Sequence, residues 1–571
     1  MTTLKKIFPT EDVNKIIVTL TAWQFLSVAL MAVGTWPAYV AITNAILLSI
    51  FILFAKPYHS VLLLTLSIPF YIILPNPYVE NLPMWRVLFV LLFVVWFVRL
   101  LFAQKERLKQ IFEIQHWHKH RSISFARARV ILTQSIKRID SRFMIWDRAF
   151  LLLFILAMCS LIFSRFPIHG LKQIIFVFNI YLLYVVIINV VTDETKLKEL
   201  IKYTFYSLGI MLALGYVQYI GTLFALPYYF WQYWATMVSS LYYGQSLASV
   251  LIYSNSWFSS DGSGQALRMF GVLPDTHAFG VISIFFLAFL IPLKNAMFNS
   301  FDCPRFLKWL WYGLVIFAGF GVMANGTRGV WLSMLAPLAL TFWFYWRKSW
   351  SNGFRTFFKT MLMVYMSIIV LFVVSPYIST GLNFIRSYNV DDNFLNRASS
   401  IYDLSENSNA GRIDIWKNSV KFSAMHPFGT GYGNFITSIV QEIPEQSSFE
   451  DVSTEKNLRY NLPQAFVTAH SLYLQLLVEL GFAGLLLFAV LLVQFFGKVS
   501  SYLEYVKSSQ TQFTNLVISL SLAFVWILAY GVFDLTILND RVLQYLLISM
   551  AICGLIFVKY HIQHTDTKKH H

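Results

Sequence analysis

The sequence predicts an all-α fold: a polytopic integral membrane protein of about 14 transmembrane helices, with one long, partly helical external loop. Three observations lead there. First, 57% of the 571 residues are hydrophobic and 18% aromatic, while only 13% are charged. That is about half the charge of a soluble domain, too little to cover a water-facing surface. A disordered chain is excluded by the opposite argument, because so much apolar area cannot stay solvated. Second, apolar stretches of about 20 residues, the length that crosses a bilayer, recur along the whole chain. Third, the Lys and Arg residues are distributed unevenly between the two sides that these stretches define. A net charge of +16 would suggest nucleic acid in a soluble protein. Here the surplus is assigned to membrane sidedness, and no nucleic-acid partner is expected.

The stretches fall at 15–35, 38–55, 58–75, 83–103, 149–166, 172–192, 203–223, 271–293, 309–327, 330–346, 360–378, 470–496, 515–536 and 541–558. The first lacks a small-residue cleavage site and runs longer than a signal-peptide core, so it is expected to remain as a span. With the N-terminus in the cytoplasm, 31 of the 44 Lys and Arg residues fall on the inner side. An even number of spans with both termini cytoplasmic follows from this bias. The expected organisation is a four-helix membrane region (1–103), a basic cytoplasmic loop (104–148), a membrane core (149–378), an external loop (379–469), C-terminal membrane helices (470–558) and a cytoplasmic tail (559–571).

Two segments between spans stand out. Residues 104–148 carry HWHKHRS, ARARV and SIKRIDSR, the composition of an interfacial helix on anionic lipid. His116, His118 and His120 could bind a metal, but no Cys or carboxylate lies at ligand spacing, and no metal is expected. The run from Tyr203 to Ser260 contains no charged residue. Its aromatic part, 227–257, reads as lying on or dipping into the outer leaflet, where Tyr and Trp bury the ring and keep the polar tip wet. It could also wall a lipid groove or stack on a sugar. Cys159, Cys303 and Cys553 all lie in or beside apolar stretches, so no disulfide framework is expected.

The external loop is long enough to be functional or to contain its own structure. Ser408 or Asn409 can cap a helix running through GRIDIWKNSVKFSAM and stopping at His426-Pro427. Arg412 and Trp416, four apart, share one face of it. Gly429, Gly431 and Gly433 follow, which either let backbone approach a ligand or form a tight turn. Residues 441–456 are acidic and polar. His470 is placed at the first turn of the next span. Arg328 lies in NGTRGVW at the outer end of a hairpin, and Arg268 lies just before another span.

Ionisable groups at membrane depth are costly and default to functional candidates. Guanidinium groups match phosphate oxygens in a bidentate fork and stay charged. Imidazole can take a proton from a hydroxyl near neutral pH. Three arginines and one histidine on one side describe group transfer from a lipid-linked diphosphate to an alcohol. Arginine can stabilise the departing diphosphate without a metal. A transporter or flippase of lipid-linked glycan is the alternative, but it would favour charges deep in the spans and internal repeats, and no repeat is visible.

At these residues the sequence resembles the O-antigen ligase and O-antigen polymerase superfamily. RMFGVLPDTHAFG (268–280) resembles its R-x-x-G-x-x-x-x-P-N element, with the Asn replaced around Asp275 to His277. NGTRGVWLSML (325–335) resembles the S-R-G-x-W/L hairpin. GRIDIWKNSVKFSAMHPFGTGYGNF (411–435) resembles the G-R-x-x-x-W … P-x-G-x-G-x-x-N-F element. AHSLYLQLLVELGFAGLLLF (469–488) resembles the H-N-x-Y-L-Q-x-L-x-E-x-G-x-x-G element, with Ser471 in place of Asn. The resemblance implies a metal-independent, inverting, cofactor-free glycosyltransferase of the bacterial inner membrane. It would move a glycan from undecaprenyl diphosphate to a glycan or lipid-linked acceptor at the periplasmic face. It implies His470 as general base and Arg328, Arg412 and Arg268 as diphosphate ligands. Trp416, Tyr473 and Gln475 are further substrate-binding candidates.

Overall fold

The computed structural model describes residues 10–76, 82–113, 133–136, 139, 142–245, 258–260, 265–298, 304–347, 350–384, 407–435, 438, 468–506 and 513–569. Their fold is helical, with two small antiparallel hairpins: β1 (Ile73–Leu74) with β2 (Leu82–Pro83), and β3 (Phe258–Ser260) with β4 (Gln265–Leu267). The basic stretch with His116, His118 and His120, the acidic segment 441–456, and Cys303 lie outside the described residues. Cys159 and Cys553 are free thiols.

Among the described residues, eleven helices are long and apolar enough to cross a membrane, and two further apolar helices, α2 (Val40–Phe54) and α17 (Thr514–Tyr530), are shorter. The chain is thus an all-α polytopic membrane protein. The N-terminal helices are α1 (Thr10–Ala32), α2, α3 (Pro57–Ser67) and α4 (Met84–Glu113). The expected third span, 58–75, differs from the structure. Its helix α3 stops at Ser67, a 3-10 turn follows at Ile68–Phe70 around Pro69, and β1 comes next. Proline there removes a donor and breaks the helical ladder. Nearly every residue of α3 is buried, and it packs against α7 (Glu194–Phe224). High hydropathy here marks a core helix, because burial in protein and burial in lipid leave the same compositional trace.

Helices α5 (Ile145–Ser160) and α6 (Pro167–Val190) precede α7. The aromatic stretch then forms α8 (Pro227–Tyr233), a π-helical turn (Trp234–Ser239) and α9 (Ser240–Tyr243). It has two faces. Tyr228 and Tyr229 are exposed, whereas Trp231, Trp234 and Tyr242 are buried. Trp234 Nε1 donates to the carbonyl of Gly271 at 2.9 Å and the Tyr243 hydroxyl to that of Val272 at 3.1 Å. The stretch therefore braces the loop that leads into the next helix.

That helix, α10 (Thr276–Phe298), is the central post, with 83% of its apolar span buried inside the protein. It packs on α7, α11 (Arg305–Ala324) and α17. Around it stand α12 (Arg328–Ser333), α13 (Leu335–Trp346), α14 (Asn352–Asn383), α16 (Leu472–Tyr505) and α18 (Asp540–Lys569). Large apolar side chains face outward on the peripheral helices, among them Phe25, Ile155, Trp309 and Val373, as a lipid-facing surface requires.

The segment expected to be the external loop holds α15 (Asn407–Met425). Its described part starts at Asn407, and Ser408 and Asn409 are already helical, so neither is its cap. It ends one residue before His426-Pro427, where the next proline excludes the helical region.

Candidate active site

Five segments meet at one end of the bundle, and each has a local reason for its shape. The first is the entry to α10. Asp275 Oδ1 accepts the N–H of Ala278 at 2.5 Å, capping the helix start. This places His277 in its first turn. Just upstream, Gln218 of α7 accepts the N–H groups of Phe270 and Gly271 at 3.0 and 3.2 Å. Arg268, preceding that loop, donates from Nη1 to Thr276 Oγ1 at 3.4 Å.

The second is the turn between α11 and α12. Buried Asn325 donates to the carbonyls of Gly321 and Val322 at 3.1 and 2.6 Å and accepts the N–H of Thr327 at 2.8 Å. Gly326 takes φ +65°, and a Cβ there would stand 3.1–3.2 Å from the Arg268 side chain. Glycine takes that φ without strain and leaves the Arg268 side chain its room. Arg328 is the first residue of α12. Its neighbour Gly329 packs so closely that a Cβ would lie 2.9 Å from the Tyr530 ring and 3.0 Å from Phe533. The hairpin thus joins Arg268 on one flank to the end of α17 on the other.

The third and fourth are α15 and the turn before α16. Ser471 is the N-cap of α16. His470 therefore precedes the cap instead of sitting in the first helical turn. Its φ is +44°, and it is the only non-glycine residue with positive φ among the described residues. Such a conformation costs on the order of 1–3 kcal/mol and is held by its surroundings. Those surroundings are visible: the N–H of Ala469 donates to Gln475 Oε1 at 2.9 Å, and its carbonyl accepts Trp416 Nε1 at 3.2 Å. Trp416 and Gln475 thus clamp the residue next to His470. Gln475 also donates to Glu479 at 2.6 Å, so its amide is engaged inside the protein. Tyr473 donates its hydroxyl to the carbonyl of Leu528 at 2.8 Å.

The three-glycine stretch is a packing device for α16. At Gly481 (φ +67°) the helix breaks its regular path. The N–H groups of Thr430 and Gly431 donate to the carbonyls of Val478 and Glu479 at 3.1 and 3.0 Å, and Phe482 N donates to the carbonyl of Pro427 at 3.0 Å. A Cβ on Gly429 would meet the Glu479 carbonyl at 2.5 Å, and one on Gly431 would meet Ser164 at 2.6 Å. The close backbone approach that these glycines allow is made to neighbouring helices.

The fifth segment, between α17 and α18, supplies residues that the sequence alone does not single out. Asp534 Oδ1 accepts the N–H of Leu535 at 2.7 Å and the Thr536 hydroxyl at 3.0 Å. Oδ2 faces two imidazoles: His277 Nδ1 at 3.2 Å and His470 Nδ1 at 3.9 Å. Tyr530 hydrogen-bonds His277 Nδ1 through its hydroxyl. Burial pushes the Asp534 carboxyl up, but the charges of His277, His470 and Arg412 outweigh it and hold the group below the usual carboxylate range. Burial, followed by the Asp534 charge, pushes the neighbouring Asp275 up to about 7. Phe533 packs on Trp416 with ring centroids 6.3 Å apart. The signal in the sequence is a carboxylate at the end of an apolar stretch. Its partners, however, come from distant segments.

His470, Arg412 and Trp416, Arg328 and Arg268 therefore border one end of the molecule, linked through Asp534, Tyr530, Phe533 and the 325–329 turn. Tyr473 and Gln475 are directed into the protein as supports. An anchored carboxylate beside an imidazole can orient it and stabilise it once protonated. Guanidinium groups nearby can hold phosphate oxygens.

A polytopic helical membrane protein with an imidazole–carboxylate pair bordered by arginines is the class that fold and site define. Residues 313–489 match the family model described as O-antigen ligase. The match supports a glycosyl-transferring membrane enzyme. It includes Arg328, Arg412, Trp416 and His470, and leaves Arg268, His277, Tyr530 and Asp534 outside. No curated protein matches the chain.

Proposed function

We propose that this protein transfers a glycan from undecaprenyl diphosphate to an acceptor hydroxyl at the periplasmic face of the bacterial inner membrane, as an O-antigen ligase or a related polymerase. The observation that carries the reading is His470 beside the anchored carboxylate of Asp534, with Arg268, Arg328 and Arg412 on the surrounding segments.

The roles follow from that placement. His470 Nδ1 faces Asp534, which leaves Nε2 to receive the acceptor proton. The freed oxygen attacks the anomeric carbon as the carbon–oxygen bond to the diphosphate breaks. The bonding pair leaves with the diphosphate, whose growing charge meets the guanidinium groups. A single displacement of this kind inverts the anomeric centre, and neither metal nor cofactor is required by it. Trp416 and Gln475 hold the histidine turn.

The lipid part of the donor has a suitable place. An apolar cavity of about 160 Å³ lies between α5, α6, α16 and α18, lined by Phe154, Ile174, Leu476 and Leu547 among others. Leu472 and Ile537 also line it, so it begins just inside the residues that carry His470 and Asp534. We assign it to part of the polyprenyl tail. The test is transfer by the purified protein from a defined undecaprenyl-diphosphate glycan to alternative acceptors, in the presence of chelator, with product chain length read out. Single additions to a fixed acceptor indicate a ligase and ladders a polymerase. No transfer to any acceptor rejects the proposal.

A further inference from the structure

The Asp534 carboxylate is shared unequally. Its Oδ1 is already occupied by Leu535 N–H and the Thr536 hydroxyl at 2.7 and 3.0 Å. Oδ2 is left to serve two imidazoles, and it is closer to His277, at 3.2 Å, than to His470, at 3.9 Å. The longer separation exceeds a hydrogen bond. His277 is also the more firmly held of the two. It stands in the first turn of the central helix, hydrogen-bonds Tyr530, and lies nearly parallel to that ring with centroids 6.2 Å apart. His470 sits instead on a turn with positive φ that neighbouring side chains hold in place.

We propose that His277 is a positioning residue that limits how much of the Asp534 carboxylate reaches His470, and thereby sets the pH range in which His470 accepts a proton. This rests on the reading of His470 as the base. The charged and titratable groups around His277 are Asp534 and Tyr530 from the C-terminal segments, Arg412 from α15, His470 before α16, and Asp275 on its own segment. When His277 carries a proton, its charge offsets that of Asp534 and repels a second proton on His470. When it is neutral with the proton on Nδ1, it can still donate to the oxygen that His470 faces. Removing the imidazole releases the whole carboxylate to His470 in either case, so His470 should then keep its proton to higher pH.

The experiment uses the full-length protein in detergent. Diethyl pyrocarbonate modifies only unprotonated imidazole, so the pH dependence of labelling on the His470 peptide, read by mass spectrometry, reports protonation without turnover. In His277→Asn and His277→Gln the labelling midpoint should rise by about one pH unit, the scale of an opposite charge freed within a few ångströms. Tyr530→Phe, which loosens His277 but keeps it, should move the midpoint the same way by less. A merely structural His277 would lower the yield or melting temperature and leave the midpoint in place. An unmoved or lowered midpoint in the folded variants overturns the inference. A parallel transfer assay separates the two claims: wild type without transfer removes the proposed function, whereas wild type with transfer and an unmoved midpoint removes only the role of His277.

Discussion

His470 Nδ1 lies 3.9 Å from Asp534 Oδ2, and the segments that carry them are tied by a backbone hydrogen bond from Leu472 N to the Gly531 carbonyl at 2.7 Å. That bond holds the turn that carries His470 against the segment that carries Asp534, a carboxylate that the family match does not include. Asp534→Asn keeps the shape and removes the charge. Turnover should fall by about 10²–10⁴-fold, the range of a lost acid–base contribution, with donor binding retained. The stability effect has a definite sign. The native carboxyl is held below its usual range, so its contribution is present above about pH 4 and is lost as pH falls through that value and below. The melting-temperature gap between wild type and Asp534→Asn should accordingly shrink on acidification.

Asp275 predicts the opposite dependence. Its carboxyl is pushed up to about 7 by burial and then by Asp534. The folded protein therefore binds a proton that the unfolded chain releases near pH 4. Stability from this group falls as pH rises from about 4 to about 7, then levels. Asp275→Asn retains a capping side chain. Its melting temperature should gain on wild type across that window, and a gap independent of pH would contradict the shift.

Much of the fold is legible in the sequence because bilayer spans have a compositional signature. Each of the long apolar helices coincides with an apolar stretch read from hydropathy. The role of α3 is the exception. Val61, Leu62, Leu63 and Leu64 are each fully buried against other helices, and composition alone does not distinguish that burial from exposure to lipid. The site is legible only in part. His470, Arg268, Arg328 and Arg412 stand out because charge at a membrane end is costly. Asp534 and His277 do not, because their meaning lies in a contact between segments far apart in the chain. The glycines at 429, 431 and 433 leave two readings open, and only their packing against α16 and α6 decides between them.

Arg328→Lys should not rescue function. Lysine keeps the charge but lacks the planar two-donor fork. Transfer within about twofold of wild type, under about 0.5 kcal/mol by the rate–energy relation, would instead favour a headgroup anchor. The comparison is of kcat/KM for the undecaprenyl-diphosphate donor.

Gly481→Ala should destabilise the protein. The residue has φ +67° and ψ −168°, and a Cβ would stand 2.2 Å from the Pro427 carbonyl. That backbone region is essentially confined to glycine and costs another residue on the order of 1–3 kcal/mol. Relief of the clash must also displace the 427–431 turn. A lower melting temperature and reduced transfer are expected. A variant as stable as wild type would show that the kink is not required.

The most direct test of the central claim is single-turnover transfer by His470→Gln, measured beside donor binding. Glutamine keeps a hydrogen bond but cannot act as a base near neutral pH. The account predicts a folded protein that binds the undecaprenyl-diphosphate donor as wild type does and transfers its glycan about 10²–10⁴-fold more slowly. Near-normal transfer by that folded variant would contradict His470 as the base.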